Sequence, residues 1–193
     1  MQENTERKKV AALERIAQAF RVLLWQESKQ FALSPLQVQL LIFLQQQPAE
    51  RRKISALAVE FDVTKATISD AVKSLEQKKL ILKTPETEDT RSYVIDLTGE
   101  GREISEKTSF FTEQLQVPVA KLHPDDKENM LLALMGIIRH LNQSGVIGVQ
   151  RMCLTCSHYR RDSQGAAHFC TLLNQELQNQ DLRIDCPEFS PSL

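Results

Sequence analysis

The stretch from Ile54 to Leu97 constrains the fold most, because it combines two short amphipathic segments, a tight turn and two β-prone runs. Its second segment places Ile68, Val72 and Leu75 at helical spacing, with small polar residues and lysines between them. Such a helix buries one stripe and leaves hydroxyl and ammonium groups on the other side. We interpret it as a probe helix for the DNA major groove, over about residues 64–79.

The two segments together predict a helix-turn-helix. The first covers residues 56–61 with Ser55 as its predicted N-cap, and Thr64 is the predicted N-cap of the second. Because so few residues separate the two helices, they must cross steeply. An ordinary helical corner in a bundle has the same signature, so the DNA interpretation needs a second feature.

A predicted β-hairpin directly after the probe helix supplies that feature. Residues 80–84 and 93–97 are β-prone, and the residues between them are polar and turn-rich. A hairpin in this place is a wing, at about residues 81–97. Arg91 lies at its tip, where a guanidinium held by Asp89 could enter the minor groove or bind a phosphate. The alternative is a solvated turn with an incidental arginine.

Long amphipathic helices are predicted on both sides of this region. One runs from Thr5 to about Gln30, and a buried helix follows, capped by Ser34 with Pro35 at its first position. Beyond the hairpin, Thr98 caps a helix that continues to about Pro118, which kinks or ends it, and a last helix spans His123 to Gly145. The terminal helices carry more apolar surface than one winged domain can cover, which predicts a homodimer.

Several motifs resemble those of MarR-type winged-helix transcriptional regulators. The most specific are a D-x-R wing tip, at Asp89 and Arg91, and an L-T-x-x-G helix start from Leu97 to Gly101. Shorter matches occur at residues 36–41, 57–58 and 63–69, and the resemblance covers about residues 5–144. It implies a homodimer with interlocked terminal helices that reads a palindromic operator in double-stranded DNA. It also implies DNA contact by Arg91 and room for a small-molecule effector.

The fold class predicted from these elements is mainly α (α+β). The predicted DNA-binding residues are Lys65, Ala66, Thr67, Ser69, Asp70, Lys73, Ser74 and Arg91. Asp70 departs from the resemblance, since a basic residue is often found at its position. An acidic side chain near phosphates weakens nonspecific affinity, although it could accept a hydrogen bond from cytosine. Residues 51–95 contain nine Lys or Arg and seven Asp or Glu, so the region is only mildly basic.

All four cysteines lie in a 34-residue stretch near the C-terminus, in a C-x2-C-x13-C-x15-C pattern. Cysteine thiolates in such a pattern are typical metal ligands. The predicted ligands are Cys153, Cys156, Cys170 and Cys186, whereas His158 and His168 are predicted to be surface residues. Free thiols without a metal are the alternative.

Two metal centres fit this pattern. A structural zinc ion would explain how so short a segment folds, since metal binding supplies folding free energy. Zinc sites usually contain two C-x2-C pairs, however, and the Cys186-Pro187 dipeptide also occurs in iron-sulfur sequences. Zinc is slightly favoured over a [4Fe-4S] cluster. A cluster would make the chain a redox or iron sensor, provided that the cluster distinguishes two states of the dimer.

Composition excludes several other classes. A net charge of −1 excludes a polybasic nucleic-acid coat, and no apolar run approaches the roughly 20 residues that span a bilayer. The chain is therefore predicted to be cytoplasmic. No nucleophile-base pair or glycine-rich phosphate loop indicates an enzyme. An interaction module that uses a winged fold without DNA is the remaining alternative.

The predicted organisation has four parts. These are an N-terminal dimerisation helix at 1–33, a winged helix-turn-helix domain at 34–98, C-terminal dimerisation helices at 99–148 and a four-cysteine metal-binding tail at 149–193.

Overall fold

The computed structural model describes residues 4–85, 93–161 and 168–192. The chain is mainly helical with two small sheets, which confirms the predicted fold class. The α-helices are α1 (Thr5–Gln30), α2 (Pro35–Gln46), α3 (Ile54–Glu60), α4 (Lys65–Gln77), α5 (Gly99–Ser109), α6 (Glu113–Ala120) and α7 (Pro124–Gln143). The strands are β1 (Ile81–Pro85), β2 (Tyr93–Leu97), β3 (Tyr159–Arg161), β4 (His168–Cys170) and β5 (Gln175–Leu177). Short 3-10 helices occupy Ala49–Arg51, Phe110–Thr112, Cys153–Thr155 and Asn179–Asp181.

The chain divides into two compact units. The first comprises Met1–Ala58 and Thr64–Val117, and the second comprises Val59–Val63 and Pro118–Leu193. These units are defined by packing, so the predicted four-part organisation stays a prediction about function. No described helix is both long and apolar enough to cross a membrane.

The first unit is a winged helix with a single apolar core. Its buried side chains come from α2, α3, α4, the hairpin and the residue before it, and they include Val38, Leu40, Leu41, Leu44, Leu57, Ile68, Val72, Leu75, Leu80, Ile81, Ile95 and Leu97. β1 pairs antiparallel with β2, from Ile81 opposite Leu97 to Pro85 opposite Tyr93. The predicted apolar stripe of the probe helix is therefore buried, as its spacing required.

Local capping explains where several helices begin. Ser34 and Gln37 form a capping box at α2, with Pro35 in the first turn, and the side chains of Thr64 and Thr98 cap α4 and α5. These three predicted caps are confirmed. The predicted cap at Ser55 is wrong, because α3 begins one residue earlier, at Ile54.

The helix predicted from Thr98 to about Pro118 is interrupted. α5 ends at Ser109, a 3-10 turn follows, and α6 then runs from Glu113 to Ala120. Pro118 lies inside α6 and does not end it. At the end of α7, Gly145 has a φ of 72°, a left-handed conformation that glycine adopts without steric cost, so it closes the helix as predicted.

The second unit has its own core beneath a small sheet. Met135 of α7, Met152, Leu177 and Leu182 are buried together, with Leu131, Ile138 and Tyr159 packed against them. β3, β4 and β5 form an antiparallel sheet in that order. These three strands are too short to show a clear alternation in the sequence, and they were not predicted.

Candidate DNA-binding surface and cysteine site

The exposed face of α4 carries most of the predicted DNA-binding residues. Lys65, Ala66, Thr67, Ser69, Asp70 and Lys73 are exposed, and Ser74 is partly buried. The face offers two ammonium groups, hydroxyl groups and one carboxylate. Helix position and exposure agree with a helix that reads base edges, and the individual contacts stay predictions.

The beginning of α4 has a defined hydroxyl arrangement. The Thr64 hydroxyl oxygen accepts a hydrogen bond from the Thr67 backbone N–H at 3.1 Å, and the two threonine hydroxyls lie 2.9 Å apart. The Thr67 hydroxyl is thus held against the cap. This orients it on the exposed first turn of the helix, where backbone N–H groups also favour phosphate.

The base of the wing is fixed to the residues before α3. The Arg52 guanidinium donates to Asp96 at 2.6 Å, and the Thr84 hydroxyl donates to the other Asp96 oxygen at 3.0 Å. The Ile95 N–H also donates to the Arg52 carbonyl at 2.9 Å. Sequence reasoning missed this contact, because 44 residues separate Arg52 from Asp96. The predicted tip residues Asp89 and Arg91 lie outside the described residues.

Apolar side chains remain exposed along the predicted dimerisation helices. On α1 they are Val10, Ile16, Phe20, Val22 and Trp25, and Trp25 is 54% exposed. On α7 they include Met130 and Ile137, and Val119 of α6 is also exposed. Exposed apolar side chains repeated along one helix are typical of a subunit interface.

All four predicted metal ligands line one small cavity. Cys153, Cys156, Cys170 and Cys186 surround a space of about 30 Å³ whose apolar wall includes Leu172 and Leu177. The four cysteines are free thiols. Among the residues that the structure describes, no three His, Cys, Asp or Glu side chains are grouped tightly enough to hold an ion as they stand. Ligation therefore requires the thiols to turn further into the cavity that they share.

Polar groups of Arg183 lie within hydrogen-bonding distance of two of the thiols. The Arg183 N–H donates to Cys153 Sγ at 3.2 Å, and the Arg183 guanidinium lies 3.7 Å from Cys186 Sγ. Burial raises the pKa of Cys186, against the opposing effect of the nearby arginine. A metal would have to displace the Cys186 proton, since thiolates are the ligand form.

The two histidines between the cysteines differ in burial and in their contacts. His168 is only 5% exposed, so its predicted surface position is wrong. Its Nδ1 lies 2.6 Å from the Tyr159 hydroxyl, and its Nε2 lies 2.9 Å from Asn179 Oδ1. Both ring nitrogens are therefore engaged, one with β3 and the other with the 3-10 helix at Asn179, and His168 is a structural residue. His158 is partly buried and lines the cysteine cavity.

Arg151 was not singled out from the sequence. Its guanidinium forms a bidentate pair with Glu60, at 2.7 and 2.8 Å, and also donates to Asp185. Hydrogen bonding to Glu60 raises the pKa of Arg151 further above its ordinary value. No local pattern could have revealed the pair, because 91 residues separate its members.

The winged helix is similar to known proteins of one family. A MarR family model matches residues 33–92. The crystal structure of the Staphylococcus aureus MepR-DNA complex is 27% identical, covers 68% of this chain and 97% of that chain, and has a TM-score of 0.60. Staphylococcus aureus MepR in a DNA-binding conformation is also 27% identical, covers 69% of this chain and 98% of that chain, and has a TM-score of 0.58.

A more distant structure shares the fold. It is a MarR/EmrR family transcriptional regulator from Acinetobacter sp. ADP1, with 22% identity, 73% of this chain and 99% of that chain covered, and a TM-score of 0.58. No curated protein matches the chain.

Proposed function

We propose that this chain is a dimeric, sequence-specific DNA-binding transcriptional regulator, because its winged helix is similar to that of the MarR family. The proposed dimer reads a palindromic operator, with one α4 in each of two major-groove half-sites and a wing beside it. The polar, exposed face of α4 on a fully buried apolar stripe carries this proposal. Similarity to MarR-family transcriptional regulators supports the prediction that the chain is not an enzyme.

Loss of one cation from this surface should weaken DNA binding measurably. We expect Lys65→Ala or Arg91→Ala to cost about 1 to 3 kcal/mol of binding free energy to a duplex from the protein's own promoter region. Each variant should also reduce the slope of log affinity against log salt, because fewer counterions are released. Fluorescence anisotropy at several salt concentrations measures both quantities.

Lys107→Ala is the matched control for these variants. It removes the same charge from α5, where Lys107 pairs with Glu103 at 2.6 Å. We expect its DNA affinity to stay close to that of the wild type. Equal losses in all three variants, or no salt-dependent binding by the wild type, would contradict the proposed surface. Substitution of Thr67 or Ser69 should alter the choice of sequence more than the bulk affinity.

The dimer depends on the exposed apolar residues of the terminal helices. A carboxylate at Phe20, which is 41% exposed on α1, would have to be desolvated in the interface. We expect Phe20→Glu to raise the dimer dissociation constant at least about tenfold, a loss of more than 1 kcal/mol. Light scattering should then give a mass near 22.0 kDa where the wild type gives twice that value. A monomeric wild type, or an unchanged Phe20→Glu dimer, would contradict this assignment.

We further propose that the four cysteines bind a metal centre. Three features support it: four free thiols around one cavity, an apolar wall, and a backbone N–H directed at Cys153 Sγ. Zinc would brace the tail, with Cys153, Cys156, Cys170 and Cys186 as its ligands. A [4Fe-4S] cluster on the same residues is the second candidate, and it would make the protein a redox or iron sensor.

Metal analysis of anaerobically purified protein separates the two centres. A colourless protein with one zinc per chain would exclude the iron-sulfur form, whereas a brown protein with iron and sulfide would exclude structural zinc. A protein that contains neither, and takes up neither on reconstitution, would contradict the metal proposal.

A further inference from the structure

Arg151 forms an ion-pair bridge between two carboxylates of the second unit. Its Nη1 and Nη2 donate to the two oxygens of Glu60 at 2.7 and 2.8 Å, and its Nε donates to Asp185. The Arg151 side chain is only 11% exposed and that of Glu60 only 19%. A bidentate pair shielded from water is among the stronger polar contacts in proteins, and its planar geometry fixes both partners.

The Asp185 end of this bridge lies beside the cysteine site. The Arg151 carbonyl accepts a hydrogen bond from the Cys186 N–H at 3.0 Å, and Arg151 and Asp185 form a parallel β-bridge. The Cys153 N–H donates to the Arg183 carbonyl at 3.0 Å. Thus the two chain segments that hold Arg151 in place also carry Cys153 and Cys186. Ligation of Cys153 and Cys186 would therefore act on the same two segments that position Arg151.

The Glu60 end lies in the segment Val59–Val63, which contains the last two residues of α3 and the turn that leads to the cap of α4. A second contact holds the same segment: the Gly148 N–H donates to the Asp62 carboxylate, at 3.2 and 3.4 Å. A Cβ atom on Gly148 would lie 2.7 Å from Asp62 Oδ1, so the backbone approaches that carboxylate as closely as glycine permits. Asp62 itself has a φ of 50°, a left-handed conformation that aspartate adopts in turns. Two carboxylates of the segment Val59–Val63, those of Glu60 and Asp62, are therefore held by residues 148–151.

We propose that Arg151 couples occupancy of the cysteine site to the turn that precedes the recognition helix. This inference rests on the proposed function, and it names the route by which the tail controls DNA binding. Metal at the cysteines holds the 151–153 and 183–186 segments in register, Arg151 then keeps Glu60 fixed, and the turn is ordered before DNA arrives. Without the metal, only the hydrogen bonds described above hold these segments, so Arg151 restrains the turn less and more of its ordering must occur during DNA binding. The metal-loaded protein therefore binds DNA more tightly.

Glu60→Gln tests this route without changing the cysteine site. The variant keeps the size of the side chain but replaces its charged, bidentate acceptor, and Arg151 retains Asp185. Glu50→Gln makes the same charge change at an exposed residue of the first unit and serves as the control. The measurement is the dissociation constant of each full-length protein for a duplex from its own promoter region, as purified with metal and after chelation, together with metal per chain.

Wild-type protein and Glu50→Gln should bind DNA about 5- to 150-fold more weakly after chelation, the usual range of allosteric coupling. For Glu60→Gln the ratio of the two constants should approach one while metal content stays at the wild-type level. A Glu60→Gln ratio equal to that of the wild type overturns the inference, and so does a wild-type ratio of one. A wild-type chain that takes up no metal, or binds no DNA in either state, overturns the proposed function and this inference with it.

Hydrogen exchange provides a second measurement that needs no variant and no DNA. If the coupling exists, chelation of the wild type accelerates amide exchange in residues 59–64, at the entry to α4. It should leave the exchange of Ile95, whose N–H donates to Arg52 in the first unit, unchanged. Unchanged exchange in residues 59–64 after complete metal removal overturns the inference even if DNA affinity falls.

Discussion

Gly101→Ala should lower the free energy of unfolding of the winged helix by about 3 kcal/mol, the upper part of the range for overpacked sites. A Cβ atom at Gly101 would lie 1.9 Å from the Leu80 carbonyl oxygen, far inside van der Waals contact. That oxygen belongs to the backbone and already accepts a hydrogen bond from the Thr98 N–H at 3.1 Å. It cannot rotate away as a side chain would. The clash must therefore displace α5 from the start of β1.

Gly99→Ala is the matched control for that variant. Gly99 lies two residues earlier in the same helix, and no described atom lies within 4 Å of the Cβ position there. We expect a neutral effect or a gain of up to about 1 kcal/mol, because alanine loses less backbone entropy than glycine. Urea unfolding followed by circular dichroism measures both variants. Equal stability of the two would contradict the close approach at Gly101.

The contacts of Thr98 and Gly101 also give a physical reason for the L-T-x-x-G motif. The Thr98 hydroxyl oxygen accepts from the Gly101 N–H at 3.0 Å and donates to the Lys79 carbonyl at 2.8 Å. Thr98 is thus both the cap of α5 and a link to the residues that follow α4. Glycine is required because the first turn of α5 rests against the Leu80 carbonyl.

Cys153→Ser should abolish metal binding and unfold the C-terminal tail. Serine is nearly isosteric with cysteine, so the substitution itself creates no cavity, but its hydroxyl is a poor ligand for zinc or for an iron-sulfur cluster. In small zinc peptides the metal contributes an apparent 10 to 16 kcal/mol to folding, so about this scale of stabilisation is at stake. We expect metal per chain to fall close to zero. Amide protection at Met152, Cys170 and Leu177 should be lost.

His158→Ala is the control for this experiment. His158 lines the cysteine cavity, but its contacts with Thr171 use its backbone carbonyl, which alanine retains. We expect this variant to keep its full metal content and its amide protection. Loss of metal from His158→Ala would indicate that His158 is a metal ligand and would contradict the four-thiolate assignment. Retention of metal by Cys153→Ser would show that Cys153 is not a ligand.

The helical elements of the winged domain could be predicted because their signals are local. Ile68, Val72 and Leu75 recur at helical spacing, and Thr64 and Thr98 are caps whose hydrogen bonds span only three residues. The four cysteines were found by type and spacing alone. Ser55 was misassigned as a cap because a serine near a helix start is a weak signal when the preceding residue can also be helical.

The errors and omissions in the tail have a common cause, which is that its structure depends on contacts between different elements and not on local sequence patterns. His168 was predicted to be at the surface because four thiolate ligands need no histidine, yet its side chain contacts Tyr159 and Asn179 on neighbouring elements. The three short strands around it are stabilised by packing on Met135 and Met152 and not by their own propensity.

The sequence by itself determined the secondary structure of the winged helix, the exposed face of α4 and the identity of the cysteine ligands proposed here. These features depend on side-chain spacing over one or two turns, which a sequence displays directly. Only the tertiary structure revealed the Arg52–Asp96 contact, the approach of Gly101 to Leu80 and the Arg151 bridge to Glu60. Each of these joins residues that are distant in the chain, so its existence depends on how the elements pack and not on any local pattern.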